Sequence, residues 1–511
     1  MSGPVGRRSR RVRRQPAAVH QLPWQDLRNP HPPLALLSED QVEVIIEAAL
    51  AVLEEHGMRF LEAESRSLLR AAGAEVDEST AMVCFARDLV RELGATAPGR
   101  FALRARNPAR DLVIGGDHMV FASVGGPAFC SDLDRGRRPG SYAELCDYLR
   151  LVQSLNIIHQ EGGGAFEPMD LPPESRHLDL YLAQLTLLDK NAQAYPLGRA
   201  RTVDCLEMTA IALGTDREGL AADPAVLGII NTNSPRQLDV PMAEAVMELA
   251  AAGQVACITP FTLAGSMSPA TLAGTLVQQT AEVLAVVALA QVVRPGAPVM
   301  YGAFASNVDM RSGAPALGTP EYARLVIASG QIARALGLPF RSSNTTTANS
   351  VDAQAAYESG LSLWACLLAH CHLVNHAAGW LEGGLTASFE KLVVDAEMLQ
   401  MMAASLEPIA VDEAELALEA IAGVPPGGHH FGTRHTLERY ERAFYEPLVS
   451  DRLNFERWQE AGSADVAQRA NGVWKRLLSE YEQPPSDPGI REALTDYVAR
   501  RKNEIEGVVA R

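Results

Sequence analysis

Aromatic residues make up only 6% of this 511-residue chain, and no two of its seven cysteines form a CxxC pair. Cys84, Cys130, Cys146, Cys205, Cys257, Cys366 and Cys371 are scattered and odd in number. That pattern excludes a disulfide framework and points to reduced thiols in a cytoplasmic protein. No GxGxxG opens a helix, since Gly162-Gly163-Gly164 lacks the spacing, and the dinucleotide fingerprint is absent with it. No GxSxG elbow surrounds Ser342-Ser343 or Thr345-Thr346-Thr347, which argues against serine-hydrolase chemistry. Positive charge is in deficit, with 45 Lys+Arg against 62 Asp+Glu and a net charge of −17. General nucleic-acid binding is thereby excluded for the body of the protein. The exception is a block of six Arg within residues 7–14, read as part of a disordered tail over 1–30. No apolar run follows it, so neither a secretory nor a twin-arginine signal is expected. The longest apolar tract, 271–293, is interrupted by Gln278, Gln279 and Glu282 and reads as a buried core helix; no membrane partner is expected.

What is present is a regular alternation. Ser38 and Gln41 form a capping box that opens an amphipathic helix to about residue 56. Helical segments near 61–73 and 86–95 follow, and then 101–116 reads as a β-hairpin around Pro108. Residues 31–117 are thus expected to form an α+β cap. From 118 to 400, eight short apolar runs recur at 119–125, 156–162, 192–198, 226–233, 255–261, 297–304, 338–344 and 371–379. Helical patterns separate them, such as 141–155 and 241–253. Eight alternations predict a (β/α)8 TIM-type barrel, with a doubly wound sheet as the alternative. Residues 401–511 are expected to be a helical extension.

The runs end in dense motifs: ITPFTLAGSMSPATLAG (258–274), VMYGAFASNVDMRSG (299–313), PFRSSNTTTANSVDAQAAYE (339–358) and HLVNHAAGWLEGGL (372–385). In a parallel barrel such strand-to-loop transitions line the active-site face. Together with GGPAFCSDLDRGRRPGSYAELCDYLRLVQSLNII (125–158) and GTRHTLERYERAFYEPLVSDR (432–452), they resemble the trimethylamine:corrinoid methyltransferase family over most of the chain. The resemblance implies transfer of a methyl group from a methylated amine to the cobalt of a corrinoid carried by a separate protein. The family's trimethylamine enzymes carry pyrrolysine, expected here near 342–349, but this chain has only standard residues. It therefore resembles the non-pyrrolysine branch, some members of which demethylate glycine betaine and related quaternary amines. A small methylated amine and a corrinoid protein are the expected partners. No permanently bound cofactor or metal is expected, and the chain is read as a homo-oligomer.

A quaternary ammonium is best held by aromatic faces, each contact contributing roughly 0.5–2 kcal/mol. A betaine also needs a donor for its carboxylate. Aromatic side chains near predicted strand ends are Phe129, Tyr195, Phe261, Tyr301, Phe304 and Trp380, with barrel packing as the alternative role for each. Asn231, Asn233, Asn307 and Asn344 lie at the same level, where loop capping is the alternative. Period-two alternation places His376 on the same side as His372 and Val374. Glu382 in the next loop could balance a substrate cation, as could Glu161 beside Gln160, or each could serve structure alone. The catalytic candidates are His376, Glu382 and Tyr301. The substrate-binding candidates are Tyr195, Asn231, Phe261, Phe304, Asn344, Trp380 and Glu161. Arg341 could face a substrate carboxylate, with outward pairing to a helix acid as the preferred reading. His370, His372 and His376 with Cys366 and Cys371 match no closed zinc spacing.

Overall fold

A computed structural model describes residues 19–509. Eight parallel strands form its centre: β1 (Val120–Ser123), β2 (Gln160–Glu161), β3 (Asn191–Ala192), β4 (Leu227–Ile230), β5 (Val255–Ile258), β6 (Val299–Gly302), β7 (Phe340–Ser343) and β8 (Leu373–Ala378). Their order around the sheet is β3-β2-β1-β8-β7-β6-β5-β4. The Ala194 N–H donates to the Leu227 carbonyl at 2.9 Å, and this bond closes the circle between β3 and β4. All eight apolar runs of the sequence contribute a strand. The fold is a TIM-type barrel and not a doubly wound sheet.

Each strand is followed by a wall helix: α1 (Tyr142–Ser154), α2 (Arg176–Leu187), α3 (Gly198–Leu213), α4 (Val240–Ala251), α5 (Leu272–Val293), α6 (Pro320–Ala335), α7 (Ala353–Leu368) and α8 (Phe389–Ser405). Helix α5 is long and apolar enough to cross a membrane, but 78% of its apolar window is buried inside the protein. The polar residues that interrupt it have partners within the fold. Glu282 accepts hydrogen bonds from Ser234 Oγ (2.7 Å), the Arg236 N–H (2.9 Å) and Gln278 Nε2 (2.9 Å), and so holds the loop after β4.

The amino-terminal segments cap one end and one side of this barrel. Ser38 and Gln41 exchange the capping-box hydrogen bonds at the start of the helix Glu39–Glu55. Three short strands not read from the sequence follow, and Met58–Phe60 pairs in parallel with Gln237–Leu238 of the β4 loop. The hairpin of Phe101–Leu103 and Leu112–Ile114 lies across the amino-terminal ends of the barrel strands. Its Leu103, Leu112 and Ile114 pack with Val120, Leu227, Val255 and Leu373, each the first residue of its strand or close to it. The barrel floor is therefore an apolar seal.

The Arg block at 7–14 falls outside the described residues. Residues 19–30 do not continue a loose tail. Leu27 is buried, the Met119 N–H donates to its carbonyl at 2.9 Å, and the Trp24 ring packs edge-on against His159. At the other end, the helix Val466–Ser479 packs on α8 through Trp474, whose Nε1 donates to Glu390 at 2.8 Å. The last helix, Pro488–Val509, is fixed to α3 through buried Asp204, which accepts from Tyr497 and Arg501 at 2.7 Å each.

Candidate active site

The carboxyl ends of the strands surround a cavity of about 500 Å³, within the usual range for small-ligand pockets of roughly 300–1,000 Å³. A shallower depression of about 870 Å³ beside Ile211 and Tyr497 lies on the outer wall, remote from the strand ends, and offers no convergent chemistry.

One wall of the mouth cavity is aromatic. Phe261 after β5 and Phe304 after β6 are stacked, with centroids 5.2 Å apart. Phe304 meets Trp380 edge-on at 5.8 Å, and Trp380 lies 4.5 Å from the His376 ring. Phe261, Phe304 and His376 line the cavity directly, and Trp380 backs them, anchored by its Nε1 donating to the Thr346 carbonyl at 3.1 Å. Tyr195 and Asn231 line the opposite side. Tyr195 is held by its hydroxyl on Glu167.

His376 reaches this wall through an irregularity. The β8–β1 register shifts between Val374 and Ala378, and His376 itself has φ of 51°. Such a bulge re-aims side chains and breaks period-two alternation. Asn375 and His376 consequently both face the cavity, whereas His372 lies at the floor end, bonded to Gly116 and Phe340. Burial, reinforced by the charge of Arg341, pushes the His376 pKa well below its ordinary value. The ring is neutral near pH 7. Its Nδ1 accepts from the Gly125 N–H at 3.3 Å, which puts the proton on Nε2.

Arg341 corrects the sequence reading most sharply. It pairs in register with Gly302, and its neighbour Phe340 pairs with Tyr301. Phe340 and Tyr301 face the helices, so Arg341 faces the barrel interior. It is 2% exposed, lines the cavity and lies 5.6 Å from the Phe304 centroid. Its Nε and Nη1 have no hydrogen-bond partner. Among the described residues, no carboxylate lies within ion-pair distance of it, and the cavity lining contains no Asp or Glu. A buried cation without a counter-charge is costly unless a ligand supplies one. Below it runs a relay of amides: Gln193 Nε2 donates to Asn375 Oδ1 (2.7 Å) and Gln160 Oε1 (2.9 Å), and Gln160 Nε2 to Asn191 Oδ1 (2.6 Å).

Besides Trp380 behind the aromatic wall, four candidates lie outside the cavity. Tyr301 points into the wall, where its hydroxyl bonds Thr280 (2.8 Å) and Gln279 (3.1 Å) on α5. Glu382 is committed to Arg137 (2.6 Å) and Thr386 (2.5 Å), which hold its pKa down, so its charge is not free for a substrate cation. Asn344 is fully buried between β7 and β8, donating to the Ala377 carbonyl at 3.0 Å. Glu161 turns back to accept from the Gly163 (2.8 Å) and Gly164 (2.9 Å) N–H groups and from Gln184. It holds the glycine turn in place and does not contact the cavity.

That turn forms part of the rim. Gly125, Gly126, Gly162 and Gly163 all line the mouth. A Cβ on Gly125 would lie 2.0 Å from the Gly162 carbonyl oxygen, so the two turns can meet only as glycines. Sequence reasoning missed Gln193, Asn375 and this rim, and it preferred the outward role for Arg341 over the carboxylate-facing one. The signal for Arg341 was available in principle: aligning apolar Tyr301 and Phe340 on one face turns Arg341 to the other.

An aromatic-walled cavity with one buried cation, at the carboxyl ends of a parallel barrel, defines a small-molecule site of the TIM-barrel enzyme type. The family model for trimethylamine methyltransferase (MTTB) matches residues 4–506. The chain belongs to this methyltransferase family. It is 36% identical to the glycine betaine methyltransferase of Desulfitobacterium hafniense over 93% of this chain and 98% of that protein. It is 29% identical to trimethylamine methyltransferase MttB2 of Methanosarcina mazei over 92% and 96% of the two chains. In fold it is similar to the crystal structure of the Methanosarcina barkeri monomethylamine methyltransferase MtmB, with a TM-score of 0.52 and 9% identity over 89% and 90% of the chains. The hydroxylamine complex of MtmB gives a TM-score of 0.53 at 11% identity over 91% and 89%.

Proposed function

We propose that this protein moves a methyl group from a quaternary amine that carries a carboxylate, of the glycine betaine class, to the Co(I) corrinoid of a separate partner protein. The observation that carries this reading is Arg341. The cavity holds one buried cation and no acid, so its ligand must bring a negative charge. Protonated trimethylamine or a simple tetraalkylammonium would meet that cation unpaired. A betaine matches it: the carboxylate docks on the Arg341 guanidinium, and the trimethylammonium rests against Phe261 and Phe304 nearer the mouth. The similarity to a glycine betaine methyltransferase supports the same choice.

The chemistry asks little of the protein beyond placement. The Co(I) corrinoid supplies a strong nucleophile. The C–N bond breaks with its electron pair left on nitrogen, giving a neutral tertiary amine, so no proton has to be delivered. Neutral His376 presents an N–H to the cavity instead of a second positive charge. The glycine rim leaves the mouth free of side chains that would obstruct a broad macrocycle, while the cavity itself suits a small amine only. This arrangement agrees with a corrinoid that is borne by the partner and not held permanently. The seven unpaired cysteines agree with a cytoplasmic location.

The test is a methylation assay under strict reduction. Purified protein, Co(I) cobalamin or a cognate corrinoid protein, and a panel of glycine betaine, carnitine, proline betaine, choline and trimethylamine are mixed, and cobalt methylation is followed by absorbance. Turnover with carboxylate-bearing amines alone is expected. Turnover with trimethylamine or choline at equal efficiency would refute the reading. Binding of betaine without turnover, even with the corrinoid protein, would make the barrel a binding protein.

A further inference from the structure

The segment 407–447 has no buried residue, although it is flanked on both sides by core. Before it, Leu406 closes α8, and after it Leu448 and Val449 are buried, with both backbone N–H groups donating to Glu397. The intervening arm contains the short helices Glu413–Leu416, Leu418–Ala422 and Arg434–Leu437. It is not a polar loop. Ile409 is 91% exposed, Phe444 84% and Phe431 79%, and Leu418, Leu437 and Tyr440 are exposed with them. A large aromatic carries roughly 150–250 Å² and an aliphatic about half that. Weighted by their exposure, these six side chains therefore present roughly 700 Å² of apolar surface, against the roughly 300–600 Å² of the largest patch on a typical monomer.

A second unpartnered apolar surface lies beside the arm's root. On α7, Tyr357, Leu361, Trp364 and Leu368 are all exposed. Their spacing of four, three and four residues puts them in one stripe along the helix. Met401 on α8 extends the stripe toward the arm's origin, and α7 and α8 are joined by Lys391 Nζ donating to Ser359 Oγ at 2.8 Å.

We infer that the arm of one copy covers the α7–α8 stripe of a second copy, making a two-fold dimer by reciprocal arm exchange. Three observations select this occupant. The area matches the roughly 800 Å² that each partner contributes to a stable interface. The donor arm is rooted at the end of α8, the helix joined to α7, and both surfaces belong to every copy, so a single two-fold axis satisfies both at once. Moreover, the arm leaves from the carboxyl end of α8. In a βα barrel that end lies at the floor, away from the mouth, where a partner serving the cavity must dock. The arm's burial is independent of the chemistry at the mouth.

The experiment is light scattering on the full chain after size exclusion, from micromolar down to nanomolar concentration. The native protein is expected at twice 54.9 kDa, or at a closed multiple of that dimer. The double variant Phe431→Asp/Phe444→Asp should run at the monomer mass. Trp364→Asp, on the acceptor stripe, should do the same. All three residues are solvent-exposed within one chain, and an unchanged circular dichroism spectrum would show that the barrel is intact. A native chain that is monomeric at micromolar concentration would overturn the inference. So would arm variants that remain dimeric. Loss of the dimer in the arm variants but not in Trp364→Asp would overturn α7 as the seat. A native monomer that gains mass only with the corrinoid protein would assign the arm to that partner instead.

Discussion

Replacing Arg341 with Met tests the charge logic of the cavity. Arg341 is 2% exposed and has two buried nitrogens without partners. In the free enzyme, Met of similar length removes an uncompensated buried cation, so thermal stability should hold or rise. Replacing buried charges by apolar groups is commonly neutral or stabilising by about 1–4 kcal/mol. With betaine bound the sign reverses. A buried carboxylate that loses its charged partner costs about 2–5 kcal/mol, and about 1.4 kcal/mol is a factor of ten. Betaine affinity should therefore fall roughly 30-fold to 3,000-fold. The carboxylate is remote from the C–N bond that breaks, so the loss should appear in KM and leave kcat nearly unchanged. Choline, which has no carboxylate, should bind Arg341→Met as well as or better than the native protein. Calorimetry with both ligands, and the methylation assay over a range of betaine, measure this directly. A folded Arg341→Met protein with betaine affinity within twofold of native would refute the reasoning.

Phe304→Ala removes a ring stacked on Phe261 and set edge-on to Trp380; betaine binding should weaken by about 1–2 kcal/mol, and Phe304→Tyr should recover most of it in the same titration. Tyr301→Phe should leave KM and kcat unchanged and cost about 1–2 kcal/mol in denaturant unfolding, because its hydroxyl serves only Thr280 and Gln279 in the wall. Burial raises the Glu161 pKa to about 7 in the folded protein, above an unfolded value of about 4.3. Stability from this group is complete below pH 4 and is lost as pH rises through 7. Melting curves from pH 5 to 8 should therefore fall more steeply for the native protein than for Glu161→Gln, and parallel curves would reject the assignment.

The barrel was legible because each strand is a short apolar run bounded by helix signals, a local pattern repeated eight times. The aromatic wall was legible for the same reason, since Phe261, Phe304 and Trp380 each follow a strand, as does Tyr195 on the opposite side of the cavity. Which face a residue takes is a different matter. Tyr301 and Arg341 sit on neighbouring strands; a ring near a strand end suggested the tyrosine for the cavity, and pairing with a helix acid was preferred for the arginine. The register β6 shares with β7 reverses both. His376 reached the cavity, but through a bulge that period-two counting does not contain. Glu161 and Glu382 show a further limit. A carboxylate near a strand end is equally able to serve a ligand, two backbone N–H groups or a neighbouring arginine, and only the folded geometry distinguishes them.

The hairpin seal at the floor has a kinetic consequence. Leu103, Leu112 and Ile114 close the end of the barrel opposite the mouth, so among the described residues the cavity opens at the mouth and not through the floor. Whatever enters, whatever leaves and whatever accepts the methyl group must share that opening in turn. In the proposed reaction the amine has to be seated before the corrinoid protein docks, and the demethylated amine departs only after the corrinoid protein has withdrawn. An excess of corrinoid protein over substrate would then block the doorway and slow turnover, which steady-state titration of the partner would reveal as inhibition relieved by betaine.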